Sequence, residues 1–308
     1  MEIVSKVSVL VPSFNYGRYL PLTLRSILSQ SHSDLELIIT DDCSSDESRA
    51  IAEEYRRLDS RVRAVFHDSN RGLAASRNSA LAISSGEFVA FCDADDIWLP
   101  DKLKIQLEYL RNRPEVGLTH SDALIMDRDG NLTGQLFSAL MHRKRQATSG
   151  NLFEELCQRN FFCVPTVVVR RQAIMRIGGF AESLRSLEDW VCWAKISRHY
   201  PIHYTSDALA KYRVHPASLS ADSRTMCQYR TRASALILTE LTDIPPRIRS
   251  KILYTLGMSH LALGHHNEAK EAFWNSISAN TRELRSWLRL AQASYKAERL
   301  PNIQKAPR

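Results

Sequence analysis

The segment Phe91-Cys92-Asp93-Ala94-Asp95-Asp96-Ile97-Trp98 carries three carboxylates within four positions, directly after the apolar run 88–91. The run reads as a strand. Negative charge crowded at a strand end costs free energy unless a cation or a hydrogen-bonding ligand meets it there. The spacing Asp93-x-Asp95 suits two carboxylates on one divalent cation, which would in turn bridge the two phosphates of a nucleoside diphosphate. Oxygen ligands favour Mn²⁺ or Mg²⁺, whereas Zn²⁺ would call for His or Cys. The competing explanation is that Asp95 or Asp96 caps the helix that follows. Further acidic pairs stand at Asp41-Asp42 and Glu188-Asp189, and His215-Pro216 closes a late extended segment.

The elements that must hold these residues read as an alternation. Residues 7–12 are β-rich, and a helix is predicted over about 18–29. Residues 35–40 alternate and are β-branched, so they form a second strand ending at Asp41-Asp42. Ser44 or Ser45 is placed to cap a helix over about 46–58, with Asp46-Glu47 in its first turn. A short strand at 63–67 and a helix at 74–84 lead to the strand before the acid cluster. Beyond it come a helix at 100–113, a strand at 116–126, and a turn at 127–131 with its Asp-Gly step. A loop over 136–150, containing Arg143-Lys144-Arg145, precedes a strand at 166–170, a tight turn at 177–180, a helix at 187–199 and an extended segment at 204–214. Short strands alternating with amphipathic helices imply βαβ units and a mostly parallel sheet, an α/β fold. Ligands bind such sheets at the C-terminal strand edge, where Asp41-Asp42 and 93–96 both fall.

Of the 308 residues, 44% are hydrophobic and 24% charged, the balance of a globular chain with a sizeable core. No window approaches the roughly 18 apolar residues that span a bilayer, and the start MEIVSKVSVLVPSF reads as a first strand rather than a signal peptide. Six cysteines without a CxxC pair point to a reducing, cytoplasmic location. The net charge of +7 is confined to the end of the chain. Residues 1–224 hold 28 basic and 28 acidic side chains, and residues 225–308 hold 13 and 6. That excess permits peripheral contact with an anionic membrane or an acidic partner; a solvated helical face is the plain alternative. The domain boundary is predicted at 222/223, with everything after it helical. There, Leu253-x2-Leu256-Gly257-x2-His260 with Gly264, Ala269 and Phe273 follows most of a tetratricopeptide repeat. Trp287-x2-Leu290-Ala291 fits the start of another, 34 residues on. An ordinary helical hairpin would carry the same residues. Basic and aromatic residues are not interleaved on a repeating face, so nucleic-acid binding has no support.

Over about residues 5–220, ordered motifs resemble the family 2 glycosyltransferases of GT-A fold. They are VSVLVPSFNYGRYLPLTLRSILSQSHSDLELIITDDCSSDES, NRGLAASRNSALAISSGEFVAFCDADDIWLPDKL, IGGF, SLEDW and YRVHPASLS. The resemblance implies inverting transfer of a sugar from a nucleotide-diphosphate donor, typically a UDP-sugar, to a hydroxyl of a glycan, lipid-linked or protein acceptor. It places Pro12, Ser13 and Asn15 in the nucleotide pocket, Asp42 on the base and Arg77 along the same pocket. It gives Asp93 to the ribose or the metal shell, Asp95 to the metal as direct ligand, His215 to the metal-diphosphate and Asp189 to general-base catalysis. The chemistry agrees, since such a displacement needs a base on the acceptor side and a cation to absorb charge on the leaving group. Asp41 reads as a loop-capping residue and Trp190 as packing, while Asp96 stays divided between supporting the metal site and capping. A silent sugar-nucleotide sensor or scaffold is the alternative, and the joint presence of Asp42, Asp93, Asp95 and Asp189 argues against it. A sugar-phosphate nucleotidyltransferase would carry a glycine-rich basic loop where this chain has PSFNYGRY.

Overall fold

A computed structural model describes residues 5–140, 149–216 and 222–299. The Arg143-Lys144-Arg145 cluster lies outside the described residues. By its contacts the chain forms two units, Met1–Leu156 with Asn160–Ser218, and Cys157–Arg159 with Leu219–Arg308.

The first unit opens with β1 (Val7–Ser13), α1 (Leu20–Leu28), β2 (Leu35–Asp41), α2 (Ser48–Leu58), β3 (Val62–Phe66), α3 (Leu73–Ile83) and β4 (Phe88–Phe91), close to the predicted alternation. Then follow β5 (Ile97–Trp98), α4 (Lys102–Asn112), β6 (Leu118–Met126), β7 (Leu132–Leu136), α5 (Phe137–Leu140), α6 (Phe153–Gln158), β8 (Val168–Arg170), α7 (Arg171–Arg176), α8 (Glu188–Ser197) and β9 (Ile202–Arg213). The short elements β5, β7, α6 and α7 carry too few residues for a period to be legible. Helix α5 stands where the sequence suggests the start of a loop, and β7 fills the gap between the predicted turn and that loop.

Among the described residues the sheet runs β3-β2-β1-β4-β8-β6-β9-β5, with β7 beside β6. The first four strands are mutually parallel; β8 runs antiparallel to both β4 and β6, so the sheet is mixed beyond β4. Every residue of β1, β2 and β4 is buried, as expected of strands covered on both faces. Val7, Val9 and Val11 of β1 and Leu35, Leu37 and Ile39 of β2 share one face and one core. Leu20, Leu24 and Ile27 of α1 and Leu103, Leu107 and Leu110 of α4 pack into that same core. A period of two on the strands thus meets a stripe of three and four on the helices. The chain winds outward from β1 to β3 and returns to β4 on the other side of β1, which puts a topological switch point beside β1.

The second unit holds α9 (Ser223–Glu240), α10 (Pro246–Leu263), α11 (His266–Ala279) and α12 (Leu284–Arg299). Asp222 caps α9, its carboxylate accepting the N–H groups of Arg224 and Thr225. Gly264, at φ +82°, ends α10 in the left-handed conformation that glycine adopts without strain. At Gly257 a Cβ would stand 2.6 Å from the Phe273 ring, so α10 and α11 meet there only because the side chain is absent. Among the described residues no helix is long and apolar enough to cross a membrane.

Candidate functional site

Among the described residues three non-glycine residues have positive φ: Asn15 at 59°, Cys43 at 66° and Leu187 at 64°. They stand just past β1, just past β2 and immediately before α8, where the chain must turn sharply at the sheet edge. Pro12 and Ser13 are buried at the end of β1, and the Asp42 N–H donates to the Ser13 carbonyl at 2.9 Å. Asn15 joins the two strand ends: its N–H donates to Ser44 Oγ at 3.0 Å, and its Oδ1 accepts the Ser45 N–H at 2.8 Å. Neither serine therefore caps α2, contrary to expectation. Asp46 does the work in that turn, accepting the Ser48 N–H at 2.9 Å and the Gly17 N–H at 2.8 Å.

The Asp42 carboxylate meets three partners within the protein. Its Oδ1 lies 2.7 Å from His67 Nδ1 and accepts the Arg71 N–H at 2.9 Å, while Oδ2 accepts the Gly72 N–H at 2.7 Å. Asp42 so pins the loop that enters α3. Asp41 turns its carboxylate onto the Ser44 N–H at 3.1 Å, a loop-capping contact.

At the end of β4 the three carboxylates part. Asp93, with its side chain 29% exposed, accepts a hydrogen bond from Arg77 Nη2 at 2.8 Å. Asp95 is mostly buried, with Oδ2 3.0 Å from His215 Nε2; burial raises its pKa and the charge of Asp93 adds to the effect. The His215 ring sits 5.6 Å from that of Tyr19 and 6.0 Å from that of Tyr16. Asp96 accepts the Arg213 N–H at 2.8 Å, and Arg213 Nε donates to the Asp95 carbonyl at 2.8 Å. Asp96 is thus tied to the end of β9. It caps no helix, since Asp101 occupies the N-cap of α4 and no side chain closes that cap. Burial pushes the Asp96 carboxyl well above its ordinary range.

Arg77 is only 2% exposed, and its guanidinium bridges two carboxylates: Asp93, and Glu188 through Nη1. This links the end of β4 to the first turn of α8. Burial pushes Glu188 up to about 7 against the opposing pull of Arg77, and it raises Asp189 against the same pull. Asp189 accepts Asn160 Nδ2 at 2.7 Å, and Asn160 Oδ1 accepts the Phe162 N–H at 3.1 Å. That second bond settles which end of the amide faces Asp189. Asn160 and Arg213 are the site residues sequence reasoning missed; Asn160 stands in no motif, Arg213 stands in YRVHPASLS with no role drawn from it, and only a partner distant in sequence gives either one. Trp190 is a packing residue, 2% exposed, with Nε1 donating to the Leu156 carbonyl.

In kind, the donors fit a hard divalent cation. Asp95 and His215 already meet, Asp93 is the accessible carboxylate two positions away and is paired with Arg77, and the Arg213 side chain bonds the Asp95 carbonyl rather than a carboxylate. No three His, Cys, Asp or Glu side chains converge on a single point among the described residues.

The glycosyl transferase family 2 model matches residues 8–178. The putative teichuronic acid biosynthesis glycosyltransferase TuaG of Bacillus subtilis (strain 168) is 31% identical over 217 residues, which cover 70% of this chain and 82% of that protein. Some other curated relatives are matched over well under two thirds of their own length. Among solved structures, S. aureus TarS 1–349 in complex with UDP-GlcNAc superposes with a TM-score of 0.66 at 22% identity, over 94% of this chain and 88% of that one. The mannosyltransferase PcManGT from Pyrobaculum calidifontis, in complex with GDP-Man and Mn²⁺, superposes with a TM-score of 0.62 at 20% identity, over 97% and 82%. At such identities the two structures speak for the fold alone.

Proposed function

The chain belongs to glycosyl transferase family 2 and has the GT-A fold, and from that premise we propose an inverting, metal-assisted transfer of a sugar from a UDP-sugar to an acceptor hydroxyl in glycan, polysaccharide or glycoconjugate synthesis. The observation that carries the reading is the Arg77 bridge between Asp93 and Glu188. It holds the acid cluster of one strand end beside the acid pair of α8, as a reaction with a donor side and an acceptor side requires.

On the donor side, Pro12, Ser13 and Asn15 line the nucleotide pocket and Asp42 accepts from the base. Arg77 supports that pocket through Asp93. Asp95, with Asp93 and His215, would hold Mn²⁺ or Mg²⁺, and the cation, when bound, absorbs charge on the departing diphosphate. On the acceptor side, Asp189 removes the proton of the hydroxyl as its oxygen attacks the anomeric carbon opposite the breaking bond to diphosphate. The raised pKa of Asp189 suits this, because a base is most effective with a pKa near the working pH.

A thermal shift series with UDP or GDP, with and without Mn²⁺, tests the donor side. UDP with Mn²⁺ should stabilise the wild type by about 2.7 kcal/mol at a hundredfold excess over Kd, and Asp95→Ala should abolish the Mn²⁺-dependent part. Equal binding by Asp95→Ala would remove it from the metal site, and stabilisation by GDP alone would reassign the base.

Asn160 supplies a second expectation. Its amide lowers the pKa of Asp189, so Asn160→Ala should raise it and move the acid limb of the pH–kcat profile to higher pH. Asn160→Asp, which sets a carboxylate against a carboxylate, should move that limb further. Donor affinity should stay put in both variants. An unmoved acid limb would make Asn160 a purely structural contact.

A further inference from the structure

Helix α12 carries an apolar face that no described residue covers. Leu284, Trp287 and Leu288 are 72%, 45% and 74% exposed, and Ala291, one turn beyond Trp287 and Leu288, is exposed as well. Their spacing of three and four residues places them on one side of the helix. The opposite side does the packing. Ser286 and Ala293 are fully buried, and Leu290 lies against the core that Ala293 forms with Ala269 and Phe273 of α11. The outer stripe is therefore not what holds α12 in its unit, and a soluble surface gains nothing from it. Trp274 of α11 is exposed too, at 56%.

The border of the stripe is basic. Arg285, three residues before Leu288, flanks it and the exposed Arg282 precedes the helix, while Arg289 shares the side of Ser286 and Ala293 and donates to Gln292 at 2.6 Å; the stretch 281–294 holds one acidic residue, Glu283. Arg285 donates to Glu283 at 2.7 Å and lies 4.8 Å over the Tyr254 ring, yet keeps 60% of its side chain exposed. The wider segment 225–308 carries 13 basic and 6 acidic residues.

We propose that this face of α12 docks on an anionic lipid surface. Leu284, Trp287 and Leu288 enter the boundary between headgroups and acyl chains, and Arg282 and Arg285 meet the lipid phosphates. Apolar and tryptophan residues on one side, bordered by arginine, are the composition of a helix lying in that boundary, where indole keeps its N–H in the polar layer. Charge decides against a second copy as the occupant, because an isologous contact would bring Arg282 and Arg285 toward their own copies on a segment that is basic already. The docking is independent of the transfer reaction and holds whichever sugar or acceptor is used.

Flotation of the full chain with vesicles tests it. Equal parts phosphatidylglycerol and phosphatidylcholine should carry the protein up, pure phosphatidylcholine should not, and raising salt from about 0.1 to about 0.5 M should weaken binding. The double variant Leu284→Ser/Leu288→Ser should lose about tenfold or more in partitioning, with circular dichroism and the nucleotide-induced thermal shift unchanged. Brominated acyl chains should quench the tryptophan emission of the wild type. Trp287→Phe, a mild change that keeps the face apolar, should float normally and lose much of that quenching. Flotation no better on anionic than on neutral vesicles would overturn the proposal. So would quenching unchanged in Trp287→Phe, or a dimer in solution that the double serine variant abolishes.

Discussion

Asp189→Asn should lower kcat by about three orders of magnitude at neutral pH while leaving nucleotide affinity unchanged. A positioned general base contributes about 10²- to 10⁴-fold, and asparagine keeps the size of the side chain without its proton affinity. The partner in the site survives, because an asparagine carbonyl still accepts from Asn160 Nδ2, which sits 2.7 Å from Asp189 Oδ2. The loss would therefore be chemical rather than architectural. Single-turnover rates read beside thermal shifts with UDP and Mn²⁺ separate the two. A loss of less than tenfold would move the base to another group, and Glu188, held near 7 in the next position, would be the first to test.

The second large effect is on stability. Arg77→Met should cost about 3–5 kcal/mol of unfolding free energy, because it strips the partner from a fully buried carboxylate, Glu188, and from Asp93. The loss should depend on pH. The Glu188 pKa of about 7 lies above its ordinary 4.5, so the folded state holds the extra proton between those values. The contribution of Glu188 to stability therefore falls as pH rises from about 4.5 to about 7. Without Arg77 the carboxyl goes higher still, and the decline should steepen and extend above 7. Glu188→Gln in the Arg77→Met background should recover part of the stability and flatten the pH dependence. Urea unfolding at several pH values measures both, and a cost under about 1 kcal/mol would show that the bridge holds little.

Much of the site edge was legible because it is local. Apolar runs ending in acids put Asp42 and 93–96 at strand ends without any knowledge of which strands pair. Glu188-Asp189 reads as the start of a helix by the same means. The limits are equally physical. Ser44 and Ser45 have the chemistry of a cap, yet the left-handed turn at Asn15 draws both toward the neighbouring strand end. Asp96 has the chemistry of a cap too, and it is spent on Arg213, 117 residues away.

By itself, then, the sequence determined the strand–helix alternation through β4, the acid clusters at the strand edge and the membership of a family of sugar transferases. Each rests on periodicity or on a contiguous motif, which a chain carries wherever it goes. Only the tertiary structure decided that β8 inserts antiparallel between β4 and β6, that Arg77 ties Asp93 to Glu188, which lies 111 residues beyond the arginine, and that Asn160 faces Asp189. Those choices depend on which buried polar atoms find partners once the sheet closes. A buried charge has no stable place until a residue far along the chain is brought against it.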